Sequence, residues 1–385
     1  MQSEQDVGET THWNAADVAR IDSGPIPEIP LITEKDTRPV LTGTHLWDMW
    51  PLCLADGSIA DFAGQSLWMI LSAPADDNPD LRHDVARIRL LSQSDDAEQV
   101  FWRDYGDLLP DGFAPGTREW AGSSVFDPDS DTLTLYFTST GRRETPTSFE
   151  QRMFETRATL LVSDRNVTTS DWSPPVQLFE SDGDNYVDTR HTAGGAGLIK
   201  GFRDPGYVRD PRDGREYILF TGSDGRSTHS HNGVIGIAAR VAGVWTVQPP
   251  LISGDAINNE FERPHVICRD GRYYLFWSTQ RHVFAPGGPA GPNGLYGMVA
   301  DRIEGPYRPL NGTALVAANP LDAPMQGYSW LVLATLDVIS FVDLWGTGGR
   351  TRTTHPDIAR TQFGGTPAPR FRISLDGDRT EIVGS

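Results

Sequence analysis

The stretch RDGREYILFTGS (212–223) recurs, with its turn and its aromatic run, as RDGRYYLFWST (269–279). In both, Asp-Gly supplies a tight reversal. The apolar, aromatic segment behind it is too short for a stable helix and has the make-up of a strand. Working outward, each belongs to a longer unit, PGYVRDPRDGREYILFTG (205–222) and PHVICRDGRYYLFWS (264–278), and SSVFDPDSDTLTLYFT (123–138) has the same form. A polar motif leads into a hairpin that ends in an aromatic strand. Further strand-like runs are SLWMILSA (66–73), ATLLVS (158–163), GVIGIAARV (233–241), GLYGMVA (294–300) and VISFVDLW (338–345), each bounded by Gly, Pro, Asp or Asn. Clear helical periodicity is scarce. Radial repetition of such hairpins builds a β-propeller; a large β-sandwich is the other architecture the pattern allows. No linker divides the middle. The expected organisation is residues 1–40 as an extension packed on the outside, with 41–385 as one catalytic domain.

Composition narrows the function. A net charge of −19 argues against nucleic acid as a partner, because phosphate backbones demand basic patches. No run of 18 apolar residues is present, so no membrane-spanning helix is expected. The N-terminus lacks the basic and apolar regions of a secretory signal. The expectation is a protein acting outside the cell without a recognisable signal, with the cytoplasm as the other placement. Lys35 and Lys200 are the only lysines, and Asp far outnumbers Glu. Adaptation to high salt and a GC-rich genome both account for that balance. Cys53 and Cys268 have no metal-ligand spacing and form no disulfide framework. Two buried thiols are expected, a single bridge being the alternative.

Three acidic motifs stand out from the surface aspartates: WDMWP with Asp48, GFRDPGY with Arg203 and Asp204, and NEFERPH with Glu260, Glu262 and Arg263. Each is read as a junction between loop and strand, where a propeller lines its central cavity. A carboxylate among Trp47, Met49 and Trp50 is costly to desolvate without compensation, and Arg beside an acid keeps it ionised in a partly dry site. Taken singly, each motif has a plain structural explanation. An Asp in a turn, a surface Glu–Arg pair and a core Trp are all ordinary. As a set they have the logic of glycoside cleavage. One carboxylate attacks the anomeric carbon, a second protonates the leaving oxygen, and a third holds sugar hydroxyls. Aromatic faces next to Asp48 would pack against the sugar.

At these residues the chain resembles glycoside hydrolase family 68, the levansucrase, inulosucrase and β-fructofuranosidase family. The resemblance runs through HLWDMWPL (45–52), REWAGSS (118–124), GFRDPGY (201–207), NEFERPHV (259–266), YYLFWSTQRHVFAPG (273–287), GPNGLYGMVAD (291–301), GPYRPLNG (305–312) and QGYSWLVL (326–333). It implies a five-bladed β-propeller with a central acidic pocket, acting on sucrose and fructan acceptors with retention and without a cofactor. By this resemblance Asp48 is the nucleophile, Asp204 the transition-state stabiliser and Glu262 the acid/base. Trp47, Trp120 and Arg203 shape the fructosyl site. Glu260, Arg263 and Tyr328 lie close by as sugar contacts or supports, and Gln280 stands at the acceptor edge. Two departures are visible. Ala121 stands where many members place a Ser against the nucleophile, and Gln280 where relatives place Arg or His. Asn259 replaces an acid that holds a structural calcium in some relatives, so no metal is expected. A plain invertase, with water as acceptor, is the runner-up, and a non-catalytic glycan- or protein-binding propeller the reading from another class.

Overall fold

A computed structural model describes residues 8–75, 78–96, 99–144, 148–163, 166–191, 199–352 and 354–384. The first seven residues of the expected extension thus lie outside the described chain. The architecture is mostly β, and among the described residues the α-helices are single short turns, Ala15–Ala19 and Ala359–Gln362.

The strands follow one another as antiparallel meanders. The first runs through Thr44–Cys53, Gln65–Pro74, Arg87–Asp96 and Gln99–Asp107, and the second through Arg118–Asp127, Thr132–Thr140, Gln151–Ser163 and Asn166–Ser170. A short parallel pairing, Leu52 with Ser124 and Cys53 with Val125, joins these two, and with Val176–Gln177 on the Gln151–Ser163 strand they make one nine-stranded sheet. The third comprises Phe202–Arg209, Glu216–Ser223, Gly233–Val241 and Val244–Ser253. The fourth comprises Glu262–Arg269, Arg272–Thr279 and Gly294–Ala300, with Arg308–Pro309 and Leu315–Ala318 both on its last long strand. The fifth is built from Gly327–Val332, Asp337–Leu344, Phe363–Pro367, Phe371–Asp376 and Arg379–Gly384. The result is the nearly closed, propeller-like arrangement that the hairpin pattern predicts.

The second strand of each meander carries the apolar aromatic run read from the sequence, and burial explains why it is apolar on both faces. Phe220, Leu275, Trp277 and Val342 are fully enclosed. Each such side chain contributes about 1.5–3 kcal/mol by leaving water. Polar strands such as Arg87–Asp96 lie further out in their meander, where one face meets solvent and alternation suffices.

The first strands approach one another closely enough for side chains to bridge them. Ser124 Oγ bonds Pro51 O at 3.2 Å, and Ser123 Oγ bonds Pro205 O at 2.8 Å while accepting Tyr207 N at 2.9 Å. Gly206 sits against the fourth meander so tightly that a Cβ would lie 2.5 Å from Pro264 O. His265 Nε2 accepts the Val332 amide at 2.8 Å, which places the imidazole proton on Nδ1, facing Arg263 O at 2.9 Å.

The N-terminal segment reaches over three meanders. Thr11–His12 pairs in parallel with Ile252–Ser253, Ile29 N bonds Ala318 O, and Ile32 N bonds Gln326 Oε1. Trp13, 1% exposed, is inserted edge-on among Trp277, Phe284 and Tyr296, with Phe261 beside it. Neither cysteine is fully buried: Cys53 is half-buried and Cys268 exposed, and both are free. The expected pair of buried thiols is therefore corrected, because Cys268 lies near the open end of its strand, just before the Asp270–Gly271 turn.

Candidate active site

Every first strand carries a register shift at its site residue. The irregularities fall between Trp47 and Met49, Trp120 and Gly122, Arg203 and Gly206, Glu262 and His265, and Tyr328 and Leu331. Asp48, Asp204, Arg263 and Ser329 adopt left-handed backbone there, with φ of 26°, 61°, 52° and 61°. A bulge re-aims a side chain that the strand's alternation would otherwise commit to one face. Strain of this kind persists only where the surrounding structure enforces it. This corrects the junction reading of the sequence. Asp48 and Asp204 lie inside their strands, at bulges, and only Glu262 opens one.

Two arginines tie the acids together. Arg203 Nη2 reaches Glu262 Oε1 at 2.7 Å and Glu260 Oε2 at 3.4 Å, and its Nε stands 3.7 Å from Asp204 Oδ2. Arg263 Nη2 bonds Met49 O at 2.6 Å, and Nη1 bonds Ser329 Oγ at 2.7 Å and Ser329 O at 3.1 Å. The Arg263 amide, Thr221 Oγ1 and the Asp204 carboxylate converge: Asp204 Oδ2 accepts both donors, at 3.2 and 2.9 Å, and the Asp204 amide bonds Thr138 Oγ1. The Tyr328 hydroxyl donates to Glu262 Oε2, and Gln280 hydrogen-bonds Tyr328. Acids from the first, third and fourth meanders thereby share one electrostatic environment.

Burial decides the charge balance. It pushes the Asp48 carboxyl up, and the Arg263 guanidinium, the Ser329 hydroxyl and Arg82 pull it back. Asp204 is pushed up to about 6 by burial, with Glu262 and Asp48 adding to the rise and Arg203 opposing it. Burial and Glu262 push Glu260 up to about 7, again against Arg203.

The aromatic wall is partly as expected. Trp47 is 1% exposed and meets the His83 ring edge-on at 5.5 Å, and His83 lies 6.2 Å from Trp120, whose Nε1 bonds His83 O. Arg82 stacks over Trp47 and Phe363. Trp50 does not join this wall. It is buried and lines a cavity of about 700 Å³ shared with His265, Cys53 and Cys268.

Thus Asp48, Asp204, Glu262, Trp47, Trp120, Arg203, Glu260, Arg263, Gln280 and Tyr328 form one connected constellation. Sequence reasoning missed Arg82, His83, Thr138, Thr221, Ser329 and Asp343. For Asp343 a signal was present: it is an acid inside the apolar run VISFVDLW, the same anomaly that marked Asp48. It is buried, near Arg352 at 3.7 Å, and faces Arg82. Among the described residues no cluster of His, Cys, Asp or Glu has the form of a metal site. At Asn259, Oδ1 accepts the Lys200 ammonium at 3.0 Å.

The family model described as Levansucrase/Invertase matches residues 1–233 and 227–384. Levansucrase Lscbeta of Pseudomonas syringae pv. actinidiae is 32% identical over 418 residues, covering 97% of this chain and 91% of that protein. The inulosucrase of Halalkalicoccus jeotgali bound to kestose superposes with a TM-score of 0.87 at 37% identity, covering 98% of this chain and 96% of that one. The levansucrase of Gluconacetobacter diazotrophicus has the same fold, with a TM-score of 0.83 at 23% identity over 100% of this chain and 92% of that one. Residue by residue and fold by fold, the chain belongs to the levansucrase/invertase family, glycoside hydrolase family 68.

Proposed function

We propose that this protein is a sucrose-dependent fructosyltransferase working by retaining double displacement. The observation that carries the reading is the meeting of acids from three meanders at two arginines: Asp204 and Glu262 at Arg203, with Asp48 under the charge of Arg263. Asp48 attacks the fructosyl anomeric carbon. The bond from that carbon to the bridging oxygen breaks, and Glu262 gives its proton to the oxygen that leaves with glucose. Asp204 holds fructose hydroxyls as positive charge develops on the ring. In the second half, Glu262 takes the proton of an acceptor hydroxyl, the acceptor oxygen bonds the anomeric carbon, and Asp48 is freed. In a retaining site the two reacting carboxyls stand roughly 5–5.5 Å apart. The five meanders are read as five blades around this pocket. Residues 41–385 act as one catalytic domain with 1–40 as its extension, and the protein works outside the cell. No membrane-crossing helix occurs among the described residues.

Transfer rather than hydrolysis is supported by the relatives: levansucrases at about a third identity, and an inulosucrase bound to kestose. The test is incubation with sucrose at high concentration, measuring free glucose and free fructose. A fructose deficit together with oligosaccharide or polymer supports transfer, and equal amounts make the protein an invertase. No glucose release would refute the reading. Asp48→Ala and Glu262→Gln should abolish glucose release while each retains the native circular dichroism spectrum.

A further inference from the structure

Lys200 is one of two lysines against 31 arginines, so Arg is the default cation of this chain. Its ammonium is half-buried and meets three oxygens from two other loops: Ser230 O at 2.5 Å, Asn232 Oδ1 at 2.7 Å and Asn259 Oδ1 at 3.0 Å. Three protons on one compact head match three converging acceptors, which a flat guanidinium fork cannot do. The acceptors are themselves fixed. Asn232 Nδ2 bonds Asp224 O at 2.7 Å, and Asn259 Nδ2 bonds Ile199 O at 2.9 Å. Asn259 Nδ2 also reaches Glu260 Oε1 at 3.3 Å, and the other oxygen of Glu260 faces Arg203, which bonds Glu262. Other described contacts brace the same corner: Asn258 Oδ1 accepts the Glu260 amide at 2.7 Å, and Gly233 N bonds Asn258 O.

We infer that Lys200 is a positioning residue, a tethered internal cation that clamps the loops at 199–201, 230–232 and 258–260 and so sets the carboxylates of Glu260 and Glu262. The clamp acts at a distance from sugar. Its loss leaves sucrose binding largely intact and misplaces the proton-transferring group. A small misplacement of a reacting group is costly in rate. The inference about rate rests on the assignment of Glu262 as acid/base; the inference about the clamp does not.

The experiment compares Lys200→Ala, Lys200→Met and Lys200→Arg with the parent protein, reading glucose release and melting temperature in ammonium chloride or in choline chloride at equal ionic strength. Lys200→Ala should lose about tenfold in kcat with KM for sucrose changed less than twofold. It should also melt at lower temperature than the parent. Lys200→Arg should do no better than Lys200→Met, although it keeps the charge. Ammonium should restore both rate and melting temperature of Lys200→Ala in a saturable way, and choline should not. If Lys200→Ala does not fold, Lys200→Met, which keeps the packed stem, is read for the same loss of kcat and melting temperature. Parent-like behaviour of Lys200→Arg or Lys200→Met overturns the inference, as does equal recovery in ammonium and choline. A parent protein that releases no glucose would refute the functional reading, while the melting measurements would still decide the clamp.

Discussion

Neighbouring strands of one sheet are built to opposite rules here. The second strand of a meander, such as Arg272–Thr279, pairs without a shift against Gly294–Ala300 and buries nearly every side chain. The first strand beside it, Glu262–Arg269, breaks register, turns Arg263 into the left-handed region and spends its polar atoms on other meanders. One strand is organised by packing and holds the sheet; the other is strained and polar and holds the chemistry. The separation teaches where substitutions should register as lost stability and where as lost rate.

The sharpest break of this contrast is Asp48→Asn. It should lower kcat/KM for sucrose about a thousandfold or more, since groups acting as a unit fail together. Relief of an incompletely compensated buried carboxylate should leave the melting temperature equal or raised. Calorimetry alongside the assay checks both halves, and a collapsed fold would erase the contrast. Next comes Trp277→Ala in the second strand, which should cost about 3–5 kcal/mol by denaturant titration. Whatever fraction remains folded should keep its KM.

His265 tests whether first strands also store stability in polar bonds. Its ring is held neutral, with its pKa lowered to about 4 by burial against an ordinary 6.5. The unfolded chain therefore binds the proton first. The stabilisation is complete above about pH 6.5 and is lost as pH falls towards about 4, by up to about 3 kcal/mol. His265→Gln should flatten that slope in urea titrations between pH 4 and 7. An unchanged slope would place the acid sensitivity elsewhere.

Ser329→Ala gives a smaller effect. Ser329 bonds Asp48 and receives Arg263, and it sits at the fifth-meander bulge as Ala121 sits at the second. Counting back from the Leu52–Ser124 pair brings Ala121 level with Met49, next to Asp48. Losing a hydrogen bond to a charged group, about 1.5 kcal/mol, should slow kcat roughly tenfold. Adding Ala121→Ser to that variant should restore part of the rate.

Salt should have the smallest effect. If the aspartate-rich surface is a salt adaptation, melting temperature and activity rise from dilute buffer to molar NaCl. A flat response makes the composition a matter of codons.

What was legible in the sequence follows the same division. Strands enclosed on both faces, such as Glu216–Ser223 and Arg272–Thr279, are continuous apolar runs and could be read directly. Arg87–Asp96 and Val244–Ser253 could not, because an outer strand with a wet face, or one carrying Pro249 and Pro250, lacks that pattern. The acids were legible because a charge in an apolar frame is anomalous. Thr138, Thr221 and Ser329 were not: hydroxyls are ordinary in strands, and these act only after residues distant in sequence are brought beside them, Asp204 beside Thr138 and Thr221, and Asp48 and Arg263 beside Ser329.

The strap formed by the N-terminal segment has a consequence for how the molecule is made. Residues 11–38 are synthesised well before their partners, Ile252, Ala318, Gln326 and Thr366. Trp13 must wait for some 280 residues before the last of its aromatic neighbours, Tyr296, exists. Docking of this segment is therefore among the final events of folding, and during translation that tryptophan is available to chaperones.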